Sequence, residues 1–250
     1  MAVFDVTAVS KTYPGSPPVR ALDDVGLTVE EGELVCLLGP SGCGKSTLLE
    51  ILAGLQEPDT GTVAFGGEPL TGPGSRRIGV VFQDPSLYPW RTVLDNVALG
   101  LEIQGVPKER RRAAAAENLS LVGLEGFERK YPHHLSGGMR QRAGIARALA
   151  TSPQVLLMDE PFGAVDHLTR IQLQADLLRI REHERTTIVF VTHDVGEAVY
   201  LADRIVLLSP RPGRVHRVIP NTHPHPRKRG DIAALEQESA IYTELETLER

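Results

Sequence analysis

The chain has 250 residues, of which 41% are hydrophobic and 24% are charged, as is ordinary for a globular protein with one substantial core. Its net charge of -5 and pI of about 5.9 argue against a protein that coats nucleic acid, because such proteins carry a basic face. Two cysteines cannot build a disulfide framework, and no run of about 18 apolar residues could span a membrane, so we expect a soluble protein of a reducing cytoplasm.

The N-terminal part of the chain predicts antiparallel β structure. Residues of about 1–32 and 58–77 are rich in glycine, proline, threonine and valine, a composition typical of short strands joined by turns. Residues of about 86–152 predict a mainly helical insertion. Within this insertion, Pro107 opens a charged, alanine-rich helix, and a second helix begins at Met139.

Four short apolar runs, at 34–38, 78–82, 155–158 and 187–191, are continuous rather than alternating. Such runs are typical of strands that are buried on both faces of a parallel sheet covered by helices. Each run ends in residues with glycine, amide, carboxylate or imidazole groups. Because ligands bind beyond the carboxyl ends of such strands, we expect these groups to converge on one edge of the sheet.

The last part of the chain, residues 216–250, predicts a linker and a short helix. The linker is rich in proline and basic residues. The helix is amphipathic and carries Ile241, Leu245 and Leu248 on one face. We therefore expect a single α/β domain over residues 1–215.

Residues 39–47 match the phosphate-binding pattern G-x-x-x-x-G-K-[ST], between a strand and a helix. The glycines allow backbone N–H groups to surround phosphate oxygens, and the new helix directs its positive end toward them. We expect Lys45 to bridge the β- and γ-phosphates of ATP, Ser46 to bind Mg2+ and Thr47 to reach the α-phosphate. The candidate nucleotide contacts of this loop are Gly39, Pro40, Ser41, Gly42, Cys43, Gly44, Lys45, Ser46 and Thr47.

Polar side chains at the ends of the other three runs predict a hydrolytic centre. Asp159 is expected to hold Mg2+ through water, and Glu160 to orient and deprotonate the attacking water. Gln83 would contact both the metal and this water, and His193 would bond to the γ-phosphate. Any one of these residues alone would more often have a structural role, as a helix cap or in a solvated turn.

Two further segments complete the candidate site. Tyr13 can stack its ring on adenine, although an aromatic residue near the N-terminus is often part of a core. Ser136 and Gly138 precede a helix, whose N–H groups form a second anion site. Because the helical insertion holds this site outward, two chains paired head to tail would bring it to the phosphate loop of the partner. A plain Gly-Gly linker is the alternative.

Cys43 lies at the N-terminus of the predicted helix. A thiol at such a position can become acidic. We expect slow alkylation of Cys43, which bound ATP prevents.

Together these motifs resemble the ATP-binding subunit of an ATP-binding cassette (ABC) transporter, over about residues 1–215. In the terms of that family they are the aromatic loop (Tyr13), Walker A (39–47), Q-loop (Gln83), signature (135–141), Walker B (155–160), D-loop (163–166) and switch histidine (His193). The resemblance implies a P-loop NTPase core with a mostly parallel sheet, an N-terminal antiparallel β subdomain and an inserted helical subdomain at about 86–152.

The resemblance also implies the cofactors ATP and Mg2+, and a dimer in which Ser136 and Gly138 of one copy bind the γ-phosphate held by the other. Its implied partners are integral membrane permease subunits and, indirectly, an extracytoplasmic solute-binding protein. Nucleic acid is not among them. The implied location is the cytoplasmic face of the membrane, at its periphery.

Finer features resemble the bacterial importers of nitrate, sulfonate and taurine, at 88–93, 161–164 and 208–213. Many members have leucine in place of Tyr88 and of Val165. Tyr88 lies near the expected permease contact. Trp90 is expected either at this contact or in the core of the helical subdomain.

Other functions stay open at this point. The solute could be another small molecule, such as a pyrimidine precursor, because the cassette never touches it. A cassette that acts on DNA or the ribosome would commonly have two cassettes, coiled-coil insertions or zinc-binding cysteines. A phosphate-loop kinase would need neither the 135–138 segment nor His193, and exporters commonly fuse membrane helices to the cassette.

Overall fold

The structure is a computed structural model that describes residues 1–73, 77–163 and 165–248. It divides into two compact units, residues 1–74 with 187–250, and residues 75–186. The strands are β1 (Ala2–Tyr13), β2 (Val19–Glu30), β3 (Leu34–Leu38), β4 (Thr60–Phe65), β5 (Glu68–Pro69), β6 (Ile78–Val81), β7 (Val155–Asp159), β8 (Thr187–Thr192), β9 (Arg204–Leu208) and β10 (Val215–Pro220). The helices are α1 (Lys45–Leu52), α2 (Val93–Val97), α3 (Leu99–Ile103), α4 (Lys108–Leu121), α5 (Gly137–Leu149), α6 (His167–Glu184), α7 (Val195–Leu201) and α8 (Ile232–Leu248).

The first unit contains an antiparallel sheet in the order β2-β1-β4-β5. Its buried face holds the rings of Phe4 and Phe65, whose centroids are 5.0 Å apart. β1 and β2 have 12 residues each, so they are longer than the short strands that the composition predicts. Register shifts between the two strands let them continue, since each irregularity bends the pair without ending it.

The same unit contains β3, which lies between β8 and β9 and runs parallel to both. β3 and β8 are buried along their whole length, as their continuous apolar sequences predict. Leu38 pairs with Thr192 on one side and with Leu207 on the other. The segments that begin at Gly39, at His193 and after Leu208 therefore leave the sheet at the same end.

The second unit contains β6 parallel to β7, with Val81 opposite Met158. Gln83 and Asp159 therefore lie near the same end of this strand pair. Helices α2, α4 and α5 pack together on buried side chains such as Leu119. The first of these helices begins at Val93 rather than near residue 86, because the preceding Thr92 accepts a bond from a backbone N–H of the first turn and so caps it.

The C-terminal helix α8 packs beside α7 in the first unit. Ile241 is buried, and Leu245 and Leu248 are half-buried on the same face. In the part of the chain that the structure describes, every helix is too short or too polar to cross a bilayer.

Candidate nucleotide-binding site

The phosphate loop, residues 39–47, joins the buried strand β3 to helix α1. Lys45 is only 5% exposed, and its Nζ donates to the carbonyls of Gly39 at 2.7 Å and of Pro40 at 2.9 Å. The lysine is thus held inside the curve of the loop. The two carbonyl groups stabilise the buried ammonium ion, and its third N–H donor can bind a phosphate oxygen.

The shape of the loop depends on backbone conformations that favour glycine. Gly42 and Gly44 have φ angles of 74° and 100°. Gly44 also directly precedes α1, whose first N–H groups have no partner within the helix. The loop therefore lies at the positive end of a helix, where backbone N–H groups can bind anions.

Tyr13 lies at the end of β1 and reaches the phosphate loop through its hydroxyl group. The hydroxyl is 3.3 Å from Thr47 Oγ1 and donates to Gln56 Oε1 at 2.9 Å. The ring is half-buried. Tyr13 and Thr47 thus belong to one cluster, and stacking on adenine stays a prediction.

His193 stands between β8 and α7, at the same end of the sheet as Gly39. Its ring is exposed, whereas its neighbours are fixed by hydrogen bonds. Thr192 Oγ1 donates to Glu197 Oε2 at 2.7 Å and accepts from Asp194 N at 3.0 Å. These bonds set the direction in which the backbone presents the imidazole.

In the second unit, Gln83 and Glu160 come close to each other. A Cβ built on Gly163 would lie 3.9 Å from Gln83 Nε2 and 4.0 Å from Glu160 Oε2. Glu160 has a φ angle of 40°, which is uncommon for a residue with a side chain and is typical of functional sites. Asp159 is the last residue of β7, directly before Glu160.

The segment around Ser136 begins helix α5. Ser136 Oγ accepts a bond from Met139 N at 3.3 Å and so caps the helix. A Cβ on Gly138 would lie 3.0 Å from Thr169 Cγ2, at the start of α6. Gly138 thus packs closely against α6, whereas the exposed Ser136 leaves the N-terminus of α5 accessible on its other side. In the neighbouring D-loop, Ala164 lies outside the described residues.

A family model described as ABC transporter matches residues 22–163, which is more than half of the chain. The chain belongs to this family. As an ABC cassette it is an ATP-hydrolysing transporter subunit, and the prediction from the motifs is confirmed.

Curated relatives cover most of the cassette. An uncharacterized ABC transporter ATP-binding protein of Methanocaldococcus jannaschii, MJ0412, is 52% identical over 223 residues, which are 89% of this chain and 83% of the relative. The taurine import ATP-binding protein TauB of Escherichia coli is 51% identical over 218 residues, 87% of this chain and 84% of TauB.

A solved structure confirms the predicted fold class. The dimeric post-hydrolysis state of the ATP-binding cassette MJ0796, bound to ADP and Pi, aligns with a TM-score of 0.80 and 36% identity, over 88% of this chain and 99% of the other. The cassette thus has the P-loop ATPase fold, with parallel strands, an antiparallel sheet and helices.

The residues that the sequence predicts as metal ligands are of types that suit magnesium bound to a nucleotide. Among residues 1–73, 77–163 and 165–248, no group of three or more histidine, cysteine or carboxylate side chains could hold a metal ion. Mg2+ often takes only one or two protein ligands and completes its shell with phosphate oxygens and water. Ser46, Gln83 and Asp159 supply oxygen atoms of the kind it prefers, and their role stays a prediction.

The expectation of an acidic thiol at Cys43 of the cassette is wrong. Cys43 is 1% exposed, and burial raises the pKa of its thiol although the nearby Lys45 ammonium opposes this shift. Loss of hydration destabilises the thiolate more than the Lys45 charge and the nearby N–H donors stabilise it.

Sequence reasoning missed one residue at the phosphate loop. Arg211 donates from its Nε to the carbonyl of Gly42 at 3.0 Å. The only signal in the sequence was the resemblance of residues 208–213 to one importer group, which assigns no role to this arginine.

Proposed function

We propose that the cassette is the ATP-hydrolysing subunit of a bacterial importer of a small anionic solute, namely a sulfonate such as taurine, or nitrate. The observation that carries the hydrolytic part is the convergence of Gln83 and Glu160 beside Gly163, at a strained backbone position. The 51% identity to the taurine import protein TauB supports the choice of solute class.

In this proposal, two copies bind MgATP head to tail. Lys45 of one copy and the N-terminus of α5 of the other, at Ser136 and Gly138, hold each γ-phosphate. Glu160 takes the proton of the attacking water, while His193 bonds to the γ-phosphate. Because only contacts that depend on the nucleotide can shift the dimer equilibrium, the γ-phosphate acts as the switch.

Replacement of Glu160 by glutamine tests this arrangement. Glutamine keeps the size of the side chain but cannot accept the proton of water, so kcat should fall about 10²- to 10⁴-fold while ATP binding is retained. Size-exclusion chromatography in saturating MgATP should then detect a trapped dimer. The exposed Glu125 in the same unit provides the control, Glu125→Gln, which should hydrolyse ATP as the wild type does. A Glu160→Gln protein that stays monomeric would contradict the reciprocal site.

A surface of the second unit supports attachment to a membrane permease at the cytoplasmic face. Trp90 is 72% exposed, and its ring is stacked on Tyr88 with the centroids 5.1 Å apart. The alternative that Trp90 belongs to a core is therefore wrong. Exposed paired aromatic side chains are typical anchors of protein interfaces. A solute-binding protein outside the membrane would deliver the solute to this permease.

Growth of a deletion strain tests the solute. The strain would be complemented with the wild type or with Glu160→Gln and grown on taurine or alkanesulfonates for sulfur, or on nitrate for nitrogen. We expect a defect confined to one of these sources, which only the wild type restores. Normal growth on all of them would contradict the solute class but leave the ATPase assignment unchanged.

A further inference from the structure

Residues 209–214, which we name the arginine strap, follow β9 and form a closed turn. Ser209 N donates to the carbonyl of Arg214 at 2.9 Å, and Arg214 N donates to Ser209 Oγ at 3.1 Å. The ends of the strap are therefore joined to each other by bonds that do not involve the side chain of Arg211.

The strap is also joined to β2. Gly213 N donates to the carbonyl of Ala21, and Asp23 N donates to the carbonyl of Gly213, both at 2.9 Å. In addition, Arg214 forms an ion pair with the buried carboxylate of Asp23. These contacts fix the strap beside the phosphate loop, independently of any ligand.

Two successive carbonyl groups of the phosphate loop face the strap. The carbonyl of Gly42 accepts the bond from Arg211 Nε, and that of Cys43 lies against Gly213, where an added Cβ would be 1.9 Å from the oxygen. In a trans peptide, the C=O group and the following N–H group point to opposite sides. The amide of Gly44 is thus directed away from the strap.

We infer that Arg211 is a positioning residue for nucleotide binding, an inference that rests on the proposed role of residues 39–47. A carbonyl turned toward a phosphate group would repel it, whereas a carbonyl bound to a guanidinium stays outside the loop. The same guanidinium adds a positive charge next to the phosphate site. Arg211 therefore acts on the nucleotide through the backbone of Gly42.

Steady-state ATPase kinetics of Arg211→Ala test this inference. Loss of one charge-assisted hydrogen bond should raise the KM for ATP about three- to tenfold, and kcat at saturating ATP should change by less than about twofold. The melting temperature without nucleotide should match that of the wild type, because the bonds that close the strap remain. The rise of the melting temperature on addition of MgATP should shrink. A role in fold stability alone would lower the melting temperature and leave KM unchanged.

Three further variants make the result decisive. Arg217→Ala removes another exposed arginine, which pairs with Glu244, and should keep the wild-type KM. Arg211→Lys keeps the charge and should give a KM for ATP between those of the wild type and Arg211→Ala. If the alanine variant does not fold, the KM of Arg211→Lys is compared with that of the wild type instead. Lys45→Ala tests the loop itself. Binding lost in Lys45→Ala but unchanged in Arg211→Ala would overturn only the role of Arg211, whereas unchanged binding in Lys45→Ala would overturn the proposed nucleotide site.

Discussion

Cys43 lies next to Lys45 and at the start of a helix, two features that stabilise a thiolate. It is nevertheless buried, and burial raises its pKa. The desolvation cost of a charged sulfur thus exceeds the stabilisation by the Lys45 ammonium and by hydrogen bonds from nearby backbone N–H groups. A thiol in a phosphate loop can therefore have a low reactivity although a neighbouring side chain is charged.

The raised pKa predicts slow alkylation of Cys43, which can be followed alone in a Cys36→Ala variant. A raised pKa favours the neutral thiol, so the thiolate fraction at pH 8 is below that of an unhindered cysteine. Iodoacetamide should react more slowly with the native protein than with the urea-unfolded protein, and the native rate should keep rising as the pH passes the usual range of a thiol. MgATP should slow the reaction further. A native rate equal to the unfolded rate at the same pH would contradict the prediction.

At the scale of elements, the segment between β6 and α2 presents aromatic side chains on a rigid support. Asn96 of α2 is buried, accepts a bond from Tyr88 N at 2.7 Å and donates to the carbonyl of Tyr88 at 3.1 Å. Tyr88 in turn supports the ring of Trp90. A helix thus fixes the aromatic pair, which reduces the entropy that a partner would have to remove on binding.

The aromatic pair predicts the effect of Trp90→Ala on attachment to the permease. Removal of an exposed aromatic anchor should reduce the recovery of the cassette with integral membrane proteins from detergent-solubilised native membranes by about tenfold or more. Ile103→Ala, at a side chain of the same unit that is also exposed, should be recovered as the wild type is. Equal recovery of both variants would count against this contact surface.

The sequence predicts buried strands well and long-range contacts poorly. The continuous apolar runs of β3 and β8 leave few alternatives to a covered parallel sheet, and the glycine pattern of residues 39–47 specifies a phosphate loop. The contact of Arg211 with Gly42 joins residues 169 positions apart, and no local pattern encodes it. The burial of Cys43 likewise depends on what packs against the loop.

At the scale of the whole chain, the C-terminal tail returns to the helix that follows His193. Arg227 Nη1 donates to the carbonyl of Tyr200 at 3.0 Å, and the guanidinium of Arg229 lies 4.0 Å from the centroid of the Tyr200 ring. The basic, proline-rich stretch, which the sequence predicts to be a linker, therefore contacts the end of α7. Glu244 of α8 also binds Arg217 at 3.0 Å. The tail contributes to the fold of the first unit.

Ile241→Ala measures this contribution. Ile241 is 2% exposed, so its truncation should lower the free energy of unfolding by about 2–4 kcal/mol in urea denaturation. Leu235 is on the same helix but 50% exposed, and Leu235→Ala should change this free energy by less than about 0.5 kcal/mol. Equal, small changes in both variants would mean that α8 detaches without cost.

The close approach of Gly213 to the Cys43 carbonyl bears on how such proteins change over generations. A side chain at position 213 would place its Cβ 1.9 Å from that oxygen, so a mutation there would displace the phosphate loop. Such a mutation could persist only with a compensating change in the other segment. We therefore expect position 213 and the phosphate loop to covary among related proteins, although they are far apart along the gene.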